Sequence, residues 1–174
     1  MKYQLLTFIL FMGFFTFRTQ ANPVPIGSTA PKLTATNQDG ATVSFGDVYA
    51  KGITLVYFYP KAETPGCTSE SCSLRDAIVD LKAKNVTVLG VSEDSVKAQK
   101  RFKDRYNLPF ELIADTDGKV AEAFGVPVTL GLASRQSFII KDGKVAWTCL
   151  RVIPKEHTKE VQNALDKLKE SGTN

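Results

Sequence analysis

The 174-residue sequence has only three cysteines, one histidine and one tryptophan. Three cysteines cannot staple a chain of this length, so a packed core rather than a disulfide framework must hold the fold. Their odd number suggests one disulfide plus one free thiol in an oxidising compartment. It also makes chemistry a better use for them than scaffolding. The lone histidine, His157, lies in the charged stretch Lys155-Glu156-His157-Thr158-Lys159-Glu160 and reads as solvated at the start of a helix. Taken with Cys67, Cys72 and Cys149, it does not match a usual zinc spacing. Asp115-Thr116-Asp117-Gly118 lacks the remaining ligands and terminal Glu of a calcium loop and reads as a turn with a cap. No metal or other cofactor is expected. There is no run of Lys or Arg and no aromatic-studded basic stripe. The formal charge of +4 includes Lys2 and Arg18; without them, 20 basic against 18 acidic residues leave +2. That is too little, and too evenly spread, for a nucleic-acid partner. No repeat, low-complexity tract or linker breaks residues 22–174, which read as one domain.

The first 21 residues contain no acidic side chain. Lys2 forms a short positive region, Leu5 to Phe17 is apolar apart from Thr7, Gly13 and Thr16, and Thr19-Gln20-Ala21 offers small residues at a cleavage site. These are the parts of a secretory signal peptide. The apolar run is short for a membrane span of about 20 residues, and no cysteine follows it as a lipoprotein anchor would need. The expectation is cleavage near Ala21, a mature chain from Asn22, a periplasmic or secreted location, and no stable membrane association afterwards. An uncleaved anchor is the alternative.

What is present is a regular order of elements. Lys32 to Asp47 alternates around Asp39-Gly40, with Leu33 and Ala35 on one arm and Val43 and Phe45 on the other, as in a hairpin. Ile53 to Tyr59 is a nearly continuous β-branched and aromatic run, suited to a central strand covered on both faces. A helix over Thr68 to Lys84 would bury Leu74, Ile78 and Leu81. Val86 to Val91 is the next strand, in a right-handed parallel crossover. Ser92 or Asp94 would cap a helix to about Tyr106. Phe110 to Ala114, a short helix ending near Phe124-Gly125, a hairpin of Gln136–Ile140 and Val145–Cys149, and a helix over Lys155 to Lys169 complete the chain. Two parallel crossovers, an antiparallel hairpin and a terminal helix predict an α/β, thioredoxin-like fold. Its central mixed β-sheet would be flanked by helices and preceded by an N-terminal β-hairpin.

The sequence is organised around Pro60 to Asp76, PKAETPGCTSESCSLRD. Strand, Pro/Gly turn, cysteine, helix is an order that makes a reactive thiol. A helix N-terminus leaves backbone N–H groups unpaired and carries partial positive charge, and both favour the nucleophilic thiolate. Helical spacing puts Cys67 on the Leu74 stripe, facing the body of the protein, and turns Cys72 outward.

Pro60-Lys61-Ala62-Glu63-Thr64-Pro65-Gly66-Cys67 resembles the peroxiredoxin active-site pattern. The continuation to Cys72 resembles the bacterioferritin-comigratory-protein, or PrxQ, branch, as do Ile26 to Pro31 and Arg135 to Ile140. The resemblance implies a thiol-dependent peroxidase for hydrogen peroxide and organic hydroperoxides. Cys67 would be the peroxidatic residue and Cys72 the resolving thiol, joined in an intramolecular disulfide that a thioredoxin-like dithiol then reduces. Thr64 and Arg135 would orient and stabilise the reacting groups, the N–H groups of Gly66 and Cys67 would hold peroxide oxygens, and Pro60 and Pro65 would shape the site. Thr64 also reads as a helix cap. Glu70, common at this position in the branch, allows a helix-surface, first-turn or substrate role. Cys149 reads as a buried small hydrophobe, with an alternative resolving or intermolecular role open. A monomer is expected. The rival readings are an exported thiol–disulfide oxidoreductase and a non-catalytic redox sensor of the same fold.

Overall fold

A computed structural model describes residues 22–170. Residues 1–21, where the signal peptide is expected, lie outside the described residues. The elements in order are β1 (Thr34–Thr36), β2 (Thr42–Ser44), α1 (Phe45–Tyr49), β3 (Ile53–Phe58), α2 (Pro65–Asp76), α3 (Ile78–Ala83), β4 (Val86–Ser92) and α4 (Val96–Tyr106). They continue with β5 (Glu111–Ala114), α5 (Lys119–Phe124), β6 (Val128–Thr129), β7 (Leu132–Ala133), β8 (Gln136–Lys141), β9 (Lys144–Cys149) and α6 (His157–Glu170).

The main sheet has the order β5-β4-β3-β8-β9. β3, β4 and β5 run parallel, while β8 and β9 are antiparallel additions on the other side. This is the mixed, helix-flanked α/β sheet expected, with β1 and β2 paired as the N-terminal hairpin. β3 sits at the centre because its residues are apolar on both faces. Leu55, Tyr57 and Tyr59 join one core with Leu74, Leu81, Phe102, Val161 and Leu165. Val56 and Phe58 join the opposite core with Phe45, Phe124 and Phe138. Each such buried side chain contributes about 1.5–3 kcal/mol. Register has a polar lock as well: Tyr57 and Tyr59 are fully buried, and their hydroxyls meet Ser71 Oγ at 2.9 Å and Gln99 Oε1. A one-residue slip would turn both hydroxyls into the other, apolar core.

Several expectations need correction. Phe45 does not extend the hairpin; it opens α1, because Ser44 Oγ accepts from Asp47 N and caps the turn. The Thr68–Lys84 helix starts earlier, at Pro65, and is broken at Ala77 into α2 and α3. Leu74 and Leu81 are buried across the break, and Ile78 is partly so. α4 is capped by Ser95, whose Oγ accepts from Ala98 N, leaving Ser92 and Asp94 free for other bonds. His157 is not solvated: it is fully buried, because α6 turns its first residue inward against α2 and β8. Cys149 is half-buried at the end of β9 rather than enclosed in a core. The Asp115 turn does act as a cap, its carboxylate accepting from Val120 N and Ala121 N.

Candidate active site

The site forms where the C-terminal end of β3 meets the N-terminal end of β8. Phe58 pairs with Gln136, so Arg135 stands one step further, beside the exit to Pro60. After Pro60, the loop is tied down from outside the site. Ala62 N donates to Asp94 Oδ2 at 2.7 Å. Glu63 adopts φ 62°, a left-handed conformation unusual for a side chain of this kind. Two arginines of α4 hold it there, Arg101 at 2.6 Å and Arg105 at 3.4 Å from its carboxylate. The bend delivers Thr64 as the extended residue before α2, with Pro65 in the first turn, where its missing N–H costs nothing.

Thr64 occupies the N-cap position but gives no side-chain cap. Its hydroxyl instead donates to Lys61 O at 2.9 Å, closing the loop on itself and leaving its lone pairs available. The first α2 hydrogen bond outside the turn runs from Thr68 N to Thr64 O, at 2.8 Å. The N–H groups of Gly66 and Cys67 therefore lie ahead of the intrahelical ladder and point out of the helix start.

Cys67 is 1% exposed. Arg135 Nη2 donates to its Sγ at 3.2 Å. The other arm of the fork, Nη1, pairs with Glu70 Oε2. Glu70 is completely buried one turn below Cys67. Burial works against the Arg135 charge, but the Glu70 carboxylate and the Cys67 sulfur outweigh it, so the guanidinium is held above its usual range. Beyond Glu70 stands His157, with Nδ1 2.9 Å from Glu70 Oε1 and Nε2 2.8 Å from Ser137 Oγ. A Cβ added at Gly66 would lie 3.5 Å from Arg135 Nη2 and 3.7 Å from Pro154 Cγ. Gly66 thus fits between the guanidinium and the loop that leads into α6.

The structure puts Arg135 against Cys67 and Gly66 at the start of α2, into which Thr64 and Pro65 lead, while Pro60 heads the same loop after β3. Cys72 lies on the same helix, half-buried, and both thiols are free. Glu70 and His157 are the residues that sequence reasoning left open or placed in solvent. Among the described residues, no group of three or more His, Cys, Asp and Glu is arranged to hold a metal ion.

The profile of the AhpC/TSA family matches residues 26–148. The chain belongs to the AhpC/TSA family. Within it, the similar relatives lie on the branch that the Cys67 to Cys72 spacing suggests. The putative peroxiredoxin bcp of Coxiella burnetii is 47% identical over 105 residues, covering 60% of this chain and 69% of the relative. The chloroplastic peroxiredoxin Q of Oryza sativa subsp. japonica is 37% identical over 155 residues, covering 87% and 71%. Among solved structures, peroxidoxin BcpB of Mycobacterium tuberculosis superposes with a TM-score of 0.77 at 29% identity, covering 82% of this chain and 96% of that one. This peroxiredoxin is accordingly a thiol-dependent peroxidase, and neither rival reading is favoured by its relatives.

Proposed function

We propose that Cys67 attacks hydrogen peroxide and organic hydroperoxides, and that Cys72 resolves the product. The observation that carries this reading is the buried Cys67 Sγ at the first turn of α2, 3.2 Å from Arg135 Nη2. The thiolate attacks one peroxide oxygen, the S–O bond forms as the O–O bond breaks, and the departing alkoxide or hydroxide takes a proton. Cys67 is left as a sulfenic acid. Arg135 serves both ends of that step, since its fixed fork of donors stabilises the thiolate and the charge that develops on the leaving oxygen. The N–H groups of Gly66 and Cys67 hold the peroxide, and the Thr64 hydroxyl accepts from it. Cys72 then attacks the sulfenic sulfur, water leaves, and a Cys67–Cys72 disulfide results. A thioredoxin-like dithiol reduces it and is itself oxidised to a disulfide.

We read residues 22–174 as a single-domain monomer that works outside the cytoplasm. The Lys2, Leu5–Phe17 and Thr19-Gln20-Ala21 layout supports export. In an oxidising compartment the disulfide would stay closed without a dedicated donor, so an exported reductant of low potential is part of the reading. Steady-state consumption of peroxide by the mature chain with an added dithiol tests the function. Turnover that Cys67→Ser leaves intact would defeat it. Mass spectrometry of the native protein tests export: an N-terminus at or near Asn22 is expected, and retention of Met1 or Lys2 would defeat it.

A further inference from the structure

We infer that His157 is a positioning residue for the peroxide reaction: acting through Glu70, it holds the Arg135 guanidinium on the Cys67 sulfur. The inference rests on Cys67 being the residue that peroxide oxidises. Five groups from four parts of the chain form a continuous line. Arg135 Nη2 touches Cys67 Sγ, Arg135 Nη1 touches Glu70 Oε2, Glu70 Oε1 faces His157 Nδ1, and His157 Nε2 meets Ser137 Oγ. Glu70, His157 and Ser137 are all 0% exposed. None of the three is open to bulk solvent, so the protein groups around them set their orientation.

The geometry at each joint explains why the end of the line matters at its start. A carboxylate with one oxygen on Arg135 can still rotate about its own axis, and the fork would follow it. Glu70 Oε1 has no hydrogen-bond partner among the described residues, and neither has His157 Nδ1. The two nevertheless lie 2.9 Å apart, in contact but off the line of a hydrogen bond. Each is thus within reach of the other's unmet hydrogen bond, and a small rotation of the ring completes both. Ser137 Oγ at 2.8 Å limits that rotation from the far side of the imidazole. The ring also packs against Tyr57, tilted by 51° with 6.1 Å between centroids. Close by, Ser73 Oγ and Thr158 Oγ1 meet at 2.7 Å and tie the start of α6 to α2 independently of the charges. That second tie lets the local packing of α6 survive a change at His157, so an effect on chemistry is separable from an effect on fold.

The chemistry that follows is specific. The attack of Cys67 on peroxide needs Arg135 aimed at the sulfur and at the leaving oxygen together, an alignment that a displacement of about 1 Å can cost a factor of about 100. His157 touches neither atom. It limits the positions Glu70 can take, and Glu70 limits those of Arg135.

The test measures the second-order rate of Cys67 oxidation by hydrogen peroxide in single turnover, with sulfenic-acid trapping, together with the thermal midpoint. His157→Leu should slow oxidation about tenfold, the size of one hydrogen bond to a charged group. His157→Asn, whose amide nitrogen lies near the position of Nδ1, should recover most of the rate. In a Glu70→Gln background, His157→Leu should change the oxidation rate by less than about twofold, because the route through the carboxylate is already cut. A folded His157→Leu within twofold of wild type overturns the inference. So does an equal slowdown in both backgrounds, or a His157→Asn as slow as His157→Leu. If His157→Leu does not fold, Ser137→Ala takes its place, keeping the imidazole and removing only its far anchor. There a slowdown of about threefold is expected and an unchanged rate overturns the inference. A purely structural histidine would lower the thermal midpoint and leave the oxidation rate alone. Should peroxide fail to oxidise Cys67 in the wild-type chain, it is the proposed function that falls, and the two failures are told apart by that control.

Discussion

Cys67 and Cys149 sit in opposite electrostatic surroundings. Cys67 stands in the first turn of α2 with a guanidinium 3.2 Å from its sulfur and unpaired amides at its back. Cys149 stands at the end of β9 with a carboxylate oxygen of Glu160 3.5 Å from its sulfur. Cys67 is the more buried of the two. Exposure alone would rank their reactivity the wrong way round. What differs is the sign of the neighbour: a thiolate formed at Cys67 meets positive charge and donors, and one formed at Cys149 meets negative charge. Burial pushes the Cys149 thiol up from its ordinary range, and Glu160 adds to the effect. On the proposed reading, the same side-chain type is a nucleophile in one place and a passive thiol in the other.

The sharpest way to break this comparison is to remove each sulfur in turn. Cys67→Ser is expected to abolish peroxide turnover, while Cys149→Ser turns over at nearly the wild-type rate. Cys72→Ser should react once and stop, leaving a sulfenic acid that dimedone labels. Equal losses in all three variants, measured by peroxide consumption with an added dithiol, would mean that the cysteines serve the fold.

The next largest effect belongs to the cation that distinguishes the two sites. Arg135→Ala should slow oxidation of Cys67 by about 10²-fold, the scale of losing one preorganised donor to developing charge. Arg135→Lys should recover only part, since an ammonium keeps the charge but loses the fork that serves Cys67 and Glu70 at once. Arg135→Ala also strands the buried Glu70 carboxylate, at a cost of about 3–5 kcal/mol for a broken buried pair. The clean comparison is therefore made in a Glu70→Gln background as well. An unchanged rate in both would show that the helix start suffices without the guanidinium.

How far this site could be read in advance depended on whether a residue's role follows from its own element. The β3 run and the inward-facing Cys67 at its helix start are local properties, and spacing was enough to find them. Arg135 is not local, and only its resemblance to a family pattern marked it. Glu70 and His157 carried a signal that their polarity masked. Glu70 lies three residues after Cys67 and four before Leu74, on the same helical stripe. His157 lies four before Val161 and eight before Leu165, both buried. Charged residues on an apolar stripe read as strays until their partners on other elements are known. Asp94 and Glu63 escaped for a related reason: their work is to fix the loop before Thr64 through contacts 32 to 42 residues away.

Turnover itself should alter the comparison, because Cys67 cannot remain in its place and also reach Cys72. Both lie within α2, which is formed from Pro65 to Asp76. Residues five apart in a helix have Cα atoms roughly 8.7 Å apart, whereas a disulfide needs about 4.4–6.8 Å. The start of α2 must unwind, and Cys67 must leave Arg135 for the bond to close. Amide exchange over residues 66–76 should be at least several-fold faster in the disulfide form than in the dithiol form. Equal protection in both would remove Cys72 as the resolving residue. Opening also delays resolution, so excess peroxide should overoxidise some Cys67 in each cycle.

The smallest expected effect sharpens the passive side of the comparison. With Glu160 beside it and solvent partly excluded, Cys149 holds its proton to higher pH in the folded chain than in the unfolded one. Between the two values the unfolded state binds fewer protons, so stability falls as pH rises, and the contribution of Cys149 is fully present below about pH 8.5, the unfolded thiol value. Thermal midpoints of wild type and Cys149→Ser should therefore be close together at pH 7 in their pH slope, and diverge above pH 9, where wild type loses more. Tyr49, Tyr57 and Tyr59 are also pushed up by burial and steepen the alkaline decline of both proteins equally, so the difference between the two isolates the thiol. Glu160→Gln should shrink that difference and speed iodoacetamide labelling of Cys149 at pH 8. Parallel slopes up to pH 10, or labelling indifferent to Glu160, would show that the carboxylate does not govern this sulfur, and the contrast with Cys67 would then rest on Arg135 and the helix start alone.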